Sequence, residues 1–314
     1  MHKDQAARRR DLDRGSAAST ARRRLAAIVA IVALVLIAVR ALGGPASGAL
    51  DPALFAPGAC VAYQPTSGDR GKTVFLDAGH GGIDPGGIGV TSSGQAIEEA
   101  DLTLPVELDA MALLRADGFR VVVSRTADST VLRLGAGDIT DGTLTLQGVH
   151  DDVLARDRCA NLSGASALVG IYFDASSTPA QGGSLTAYDA ARPFAAANTR
   201  LARLLQSDVL AALNARGWQI PDDGVLSDSG LGSFDGSPSS DALAARAAAY
   251  DHLLLLGPAT AGFQSSPSKM PGAVIEPLYI TDPFEGALAD SVAGQQVIAR
   301  GIATAVEQFL AGRV

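Results

Sequence analysis

Thr73-Val-Phe-Leu-Asp-Ala-Gly-His-Gly-Gly-Ile-Asp-Pro-Gly-Gly87 is the stretch from which the chain is best read. It opens on an apolar run of strand type, Val74 to Leu76, and breaks into a loop with five glycines around a single histidine, His80. A strand that stops at Gly-His-Gly-Gly places an imidazole at the end of a sheet with little bulk beside it. In open α/β sheets, ligand sites lie outside the carboxyl ends of the strands. Taken alone, the same stretch reads rather as a tight turn carrying a solvated histidine, and the rest of the chain has to decide.

From Lys72 onward strand-like and helix-like runs alternate. Strands are expected at Thr73–Asp77, Phe119–Ser124, Ala167–Phe173, Ser184–Tyr188 and Ala273–Ile280, and helices at about 100–116, 150–162, 195–217 and 287–312. In the third helix Leu201, Leu204, Leu205, Val209, Leu210 and Leu213 recur as one helical face. Pro105 is then expected in a first helical turn, where a missing N–H is harmless. The alternation implies an α/β domain with a single mixed or parallel sheet flanked by helices. Residues 130–149 and 222–242, rich in Gly, Asp and Ser or Thr, read as long loops.

Charge is unevenly spread. Residues 1–40 carry nine Lys or Arg against three Asp, a net +6, which leaves −14 for the rest of a chain whose total is −8. An acidic body argues against a nucleic-acid partner, since phosphate binding needs a positive surface. Leu25 to Val39 is an unbroken run of fifteen apolar residues, preceded by seven arginines and closed by Arg40. The run suits a signal-peptide core, and Arg40 could snorkel to extend it toward the roughly 20 residues of a membrane span. The expected organisation is a basic cytoplasmic tail at 1–24, a membrane helix or signal segment at 25–44, a linker at 45–71 with an edge piece near Cys60–Tyr63, and the α/β domain at 72–314. The positive-inside rule sends everything after about residue 45 out of the cytoplasm. The body is then membrane-anchored on the cell-wall side, or secreted if the small residues Ala46 to Ala49 form a cleavage site. Cys60 and Cys159, the two cysteines, both fall in the exported part, where they form one disulfide or remain two buried thiols.

Four stretches could place polar side chains at one sheet end. They are Asp77-Ala-Gly-His80, Glu98-Glu99-Ala-Asp101 just before a helix, Tyr172-Phe-Asp174 at the end of an apolar strand, and Glu276 within the run Ala273–Ile280. A carboxylate in an apolar strand costs several kcal/mol unless it is paired, metal-bound or at the strand's open end. Glu276 is therefore the strongest single anomaly.

With these motifs in this order, the chain over about residues 72–312 resembles the zinc-dependent N-acetylmuramoyl-L-alanine amidases of the Amidase_3 type. The stretch around His80 looks like that family's opening motif, whose His is a zinc ligand. Glu99-Ala-Asp-Leu-Thr-Leu104 resembles the element that supplies the second ligand, with Glu98 the adjacent alternative. Val122-Val-Ser-Arg-Thr-Ala-Asp128 and Arg156-Asp-Arg-Cys-Ala-Asn161 resemble two further family segments. Ala273-Val-Ile-Glu276-Pro-Leu-Tyr-Ile-Thr-Asp-Pro-Phe-Glu285 resembles the closing motif, whose first Glu is the catalytic base. The resemblance implies a zinc cofactor held by His80 and Glu99, catalysis by Glu276, and peptidoglycan as substrate. The bond cleaved is the amide between N-acetylmuramic acid and L-Ala of the peptide stem, and a regulatory protein partner is conceivable.

One departure stands out. The family's third ligand is a His in Ser-Ile-His-Ala, and this chain reads Gly170-Ile-Tyr172-Phe-Asp174-Ala. Tyrosine is rarely a zinc ligand, its phenol having an ordinary pKa of about 10. Tyr172 marks a substitute or a vacated ligand position. Asp174, two along, shares its face of the strand, and His150 and His252 are the remaining histidines of the domain. The alternative reading is a catalytically inactive homologue that binds peptidoglycan or regulates another hydrolase.

Overall fold

Val74, Phe75 and Leu76 sit near the middle of an eight-stranded sheet, each without exposed surface. The sheet is seen in a computed structural model that describes residues 46–178, 181–231 and 242–312. Its strands are β1 (Ala46–Ala49), β2 (Ala59–Tyr63), β3 (Thr73–Ala78), β6 (Arg120–Arg125), β9 (Ala167–Ile171), β10 (Ser184–Tyr188), β11 (Asp222–Ser227) and β12 (Gly272–Glu276). Two hairpins stand apart, β4 (Ile88–Val90) with β5 (Ala96–Glu98), and β7 (Ile139–Thr140) with β8 (Thr143–Leu144). The helices are α1 (Glu99–Ala116), α2 (Leu146–Ser163), α3 (Ala195–Asn214), α4 (Ala242–Ala249), α5 (Pro283–Ala289) and α6 (Val292–Leu310).

The strand order is β1-β2-β6-β3-β9-β12-β10-β11. β6, β3, β9 and β12 are parallel; β2 and β10 run against them, and β11 runs with β10. The carboxyl ends of β10 and β11 therefore lie at the opposite rim from those of β3, β9 and β12. Alternation sorts the side chains. Val74, Leu76, Val169, Ile171 and Ile275 join Leu102, Leu201, Leu205 and Ile298 from α1, α3 and α6 on one face. Phe75, Val122, Leu168 and Val274 meet Ala155, Cys159 and Ala160 of α2 on the other. Both faces are covered, which is why the central strands are almost continuously apolar.

Several boundaries differ from those expected. Pro105 lies well inside α1 rather than in its first turn; the bond it removes is to the carbonyl of Asp101, an exposed position where water can substitute. α2 begins four residues early, at Leu146, because Thr145 caps it, its hydroxyl accepting from the Gly148 amide at 3.0 Å. The expected helix 287–312 is two helices, each with its own cap: Asp282 accepts from the Phe284 and Glu285 amides, and Ser291 from Gly294. β12 stops at Glu276 before Pro277, and among the described residues the chain just beyond it pairs through the single bridge of Asp174 with Tyr279. Residues 222–242, expected as loop, contribute the edge strand β11, whose polar sequence Asp-Asp-Gly-Val-Leu-Ser shows no apolar run.

Within the span read as linker, β1 and β2 extend the sheet, and Phe55, Ala59 and Cys60 are buried. The small residues of β2 are buried without displaying a period. Cys60 and Cys159 form a disulfide that joins β2 to α2 across a sequence separation of 99 residues. The apolar run 25–39 lies outside the described residues, and no helix among the described residues is long and apolar enough to cross a membrane.

Candidate functional site

His80 lies one residue beyond β3, after Gly79, with its backbone in the left-handed region at φ 58°. For a residue with a side chain that conformation costs of order 1 kcal/mol or more, so the surroundings must hold it. They do so at three atoms. Nδ1 lies 2.9 Å from Asp84 Oδ2, the carbonyl accepts from Arg156 Nη2 at 2.8 Å, and Nε2 lies 3.3 Å from Glu99 Oε2. Burial alone would lower the imidazole's pKa, but the Glu99 and Asp84 carboxylates outweigh it and push it up to about 10.

Glu99 is the first residue of α1, where the helix N-terminus favours a carboxylate. It is buried, and both oxygens are fixed by backbone: Oε1 accepts from the Phe173 amide at 2.9 Å and Oε2 from Gly87 at 2.8 Å. Glu98, its neighbour, is exposed in β5. Two glycines make this closeness possible. A Cβ on Gly79 would lie 2.4 Å from the Tyr172 ring, and one on Gly86 would meet the His80 ring at 2.6 Å and Glu99 Oε2 at 2.8 Å.

The floor of the site is a buried ion cluster. The Arg156 guanidinium donates to Asp77 Oδ1 (2.9 Å), to Asp152 Oδ2 (2.9 and 3.0 Å) and to the carbonyls of Ala78 and His80. Asp152 Oδ1 in turn accepts from the Val131 and Leu132 amides, both at 2.7 Å. A buried arginine is tolerable only when matched in this way, and the match fastens the histidine loop to α2.

Tyr172, on the same face as Phe75 and Val274, donates its hydroxyl to Asp77 Oδ2 at 3.2 Å and stands edge-on to His80 with ring centroids 5.5 Å apart. Burial, then the Asp77 carboxylate, push its phenol well above the ordinary value. It stays protonated and is spent as a hydrogen-bond donor. Glu276 ends β12 at the same rim. Burial, then the carboxylates of Asp174 and Glu99, push it up to about 8. Asp174 is also raised, first by burial, with Glu276 and Tyr279 beside it. A cavity of about 200 Å³ opens beside these groups, lined by His80, Tyr172, Glu276, Leu253, Leu255 and Val274 among others.

The structure thus gathers His80, Glu99, Tyr172, Asp174 and Glu276 at one rim. His150 is elsewhere, its Nε2 2.9 Å from the Phe263 carbonyl, and His252 lies beside Asp189 and Asp228. Asp77, Asp84 and Asp152 were not singled out as site residues from sequence, although Asp84 stands four positions after His80 inside the opening stretch.

As a metal centre the set is incomplete. The 3.3 Å between His80 Nε2 and Glu99 Oε2 suits two ligands of one ion, since zinc bonds of about 2.1 Å at tetrahedral angles separate ligand atoms by about 3.4 Å. Among the described residues, however, only Asp189, Asp228 and His252 bring three imidazole, thiolate or carboxylate donors within 4.8 Å of one another. With the Tyr172 hydroxyl turned to Asp77, the residues at this rim do not make a three-ligand zinc centre.

Comparisons with known proteins bear on what the rim is for. The family model described as N-acetylmuramoyl-L-alanine amidase (Amidase_3) matches residues 74–308. Among solved structures, the chain is similar to the CwlD amidase of Clostridioides difficile, solved in complex with the GerS lipoprotein, at 20% identity and a TM-score of 0.55, covering 77% of this chain and 99% of that one. It is also similar to an N-acetylmuramoyl-L-alanine amidase from Clostridium difficile 630, at 23% identity and TM-score 0.52, covering 77% and 98%. A third is the amidase AmiC2 of Nostoc punctiforme, at 20% identity and TM-score 0.51, covering 78% and 99%. At these identities the structures speak for the fold. No curated protein sequence matches the chain.

Proposed function

We propose that this chain, which belongs to the N-acetylmuramoyl-L-alanine amidase family, is a cell-wall hydrolase that cleaves the amide between N-acetylmuramic acid and the L-Ala of the peptide stem. The observation that carries the reading is the meeting of His80, Glu99 and Glu276, distant in sequence, at one rim, where His80 and Glu276 line a cavity and Glu99 lies against His80. Amide hydrolysis needs a group that takes a proton from water and returns it to the leaving amine. Glu276 is proposed for both steps. A carboxyl pushed up to about 8 is a stronger base once ionised than an ordinary one, and it readily carries the proton to be delivered. Asp174 is its neighbouring carboxyl group. His80 and Glu99 are proposed to face the substrate carbonyl. No step is assigned to zinc, because the third ligand position holds Tyr172; zinc is expected to bind the His80–Glu99 pair weakly.

In the same reading residues 25–44 anchor the chain in the membrane, or are removed on export, and the domain faces peptidoglycan outside the cytoplasm. The similar CwlD amidase was solved with a lipoprotein partner, and a regulatory partner is part of this proposal. One observation favours a second reading. The Tyr172 hydroxyl is taken up by Asp77, at the position that the sequence resemblance matches to the family's third ligand, which supports an inactive homologue that binds peptidoglycan or regulates another hydrolase.

Digestion of purified peptidoglycan by the full chain, with and without micromolar zinc, separates the two. Release of stem peptides with a new L-Ala amino terminus, reduced at least about 100-fold by Glu276→Gln, supports the hydrolase. Retention of intact peptidoglycan without any release, at every zinc concentration, establishes the second reading.

A further inference from the structure

We propose that Asp189, Asp228 and His252 form a separate divalent-cation site on the rim opposite His80, and that the bound ion fastens residues 250–257 to the sheet. Asp189 follows β10 and Asp228 follows β11, so the parallel pairing of these strands sets the two carboxylates side by side. Because β10 runs against β12, with Leu185 opposite Glu276 and Ala187 opposite Val274, Asp189 lies four residues from the level of Glu276. At strand spacing that is roughly 13 Å. His252 reaches the pair from the segment after α4. Its Nδ1 lies 2.9 Å from Asp189 Oδ2 and 3.4 Å from Asp228 Oδ1.

Both aspartates are completely buried. Asp189 Oδ1 accepts from the Ala191 amide, and Asp228 Oδ2 from the Leu253 amide at 3.1 Å. Asp189 Oδ2, directed at the imidazole, receives no hydrogen bond of acceptable geometry. Two buried carboxylates side by side with such an unsatisfied oxygen are costly unless a positive charge lies between them. A cation in the gap would satisfy the oxygen and neutralise the pair.

The two separations at the imidazole match, and the three ligand atoms all lie within 4.8 Å of one another. Bonds of about 2.1 Å place ligand atoms about 3.0–3.4 Å apart, from octahedral to tetrahedral angles. One imidazole and two carboxylates, with no thiolate, select a borderline divalent ion of the zinc or manganese class over calcium or magnesium, which favour all-oxygen shells. The His252 side chain keeps 20% of its surface exposed, giving the ion a route from solvent and room for water ligands. The segment the ion would hold matters to the other rim, because Leu253, Leu254 and Leu255 wall the cavity beside His80, Tyr172 and Glu276.

The inference does not rest on the amidase reading, and the test keeps the two sites apart. Metal-free full chain is titrated with zinc by equilibrium dialysis, alongside His80→Ala, His252→Ala and Asp189→Asn. The expected result is about one zinc retained by His80→Ala at micromolar free metal, with millimolar magnesium present. His252→Ala should bind it at least roughly 10–100-fold more weakly. Hydrogen exchange at residues 250–257 should slow with zinc in His80→Ala, and not in the His80→Ala/His252→Ala double variant. Asp189→Asn, nearly isosteric, gives the same reading if His252→Ala does not fold. Zinc uptake that disappears with His80→Ala, or that survives both His252→Ala and Asp189→Asn, overturns the proposal.

Discussion

A phenol at position 172 sets the terms for every other side chain at the rim. Its hydroxyl engages Asp77, which also receives Arg156, so the ring belongs to the buried ion cluster as much as to the cavity. Tyr172→His should restore a nitrogen donor near His80 and Glu99. The expected outcome is tighter zinc binding by at least about tenfold, measured by competition with a chromophoric chelator in the His252→Ala background. An unchanged affinity would mean that the smaller ring cannot reach the ion. Losing a donor to Asp77 should cost about 1–2 kcal/mol of stability. Glu276 was legible in sequence because a carboxylate is out of place in an apolar strand, whereas His80 and Glu99 were picked out by the resemblance of their stretches to the family's motifs. Asp77, Asp84 and Asp152 were not, since an aspartate after a strand or in a helix is ordinary until the arginine it meets is known. The choice of Glu99 over Glu98 also needed coordinates, because only helix direction separates two adjacent carboxylates.

At the scale of elements, periodicity was enough for β3, β10, α1 and α3, whose apolar residues face dense packing. It failed where side chains are small or polar, as in β1, β2 and β11, and where a single hydroxyl decides an end, as at Thr145 and Ser291. The turn after β3 is the element on which the rim depends. Gly79→Ala would drive a Cβ into the Tyr172 ring at 2.4 Å. Overpacking of this kind costs about 1–3 kcal/mol, and a lower urea midpoint should report it. Because the clash is with one ring, Gly79→Ala combined with Tyr172→Ala should lose less than the two single changes together, a coupling that a double-mutant cycle reads directly. Strict additivity would show that the glycine serves the backbone alone.

For the molecule as a whole, buried carboxyl groups dictate the response to pH. Glu107 and Glu285 are both pushed up to about 7, first by burial, although Arg125 and backbone amides respectively oppose the rise. Their protons are held more tightly in the folded chain than in the unfolded one. They therefore favour folding most below about pH 4.5 and withdraw that support as pH rises through about 7. Urea midpoints in the presence of a chelator should fall between pH 5 and pH 8, Glu107 alone accounting for up to about 3 kcal/mol. Glu107→Gln should flatten the profile. The Cys60–Cys159 bond acts at this scale too. Serine at both positions should cost roughly 4 kcal/mol, as expected for a closed loop of about 100 residues, measured under the same denaturant. The bond also outlives unfolding. It encloses His80, Glu99 and Arg156 in one covalent ring and leaves Tyr172 and Glu276 on the free strand. An oxidised chain that melts still keeps half of its rim on a lasso, so refolding starts with that half already gathered and has only the other half to thread home.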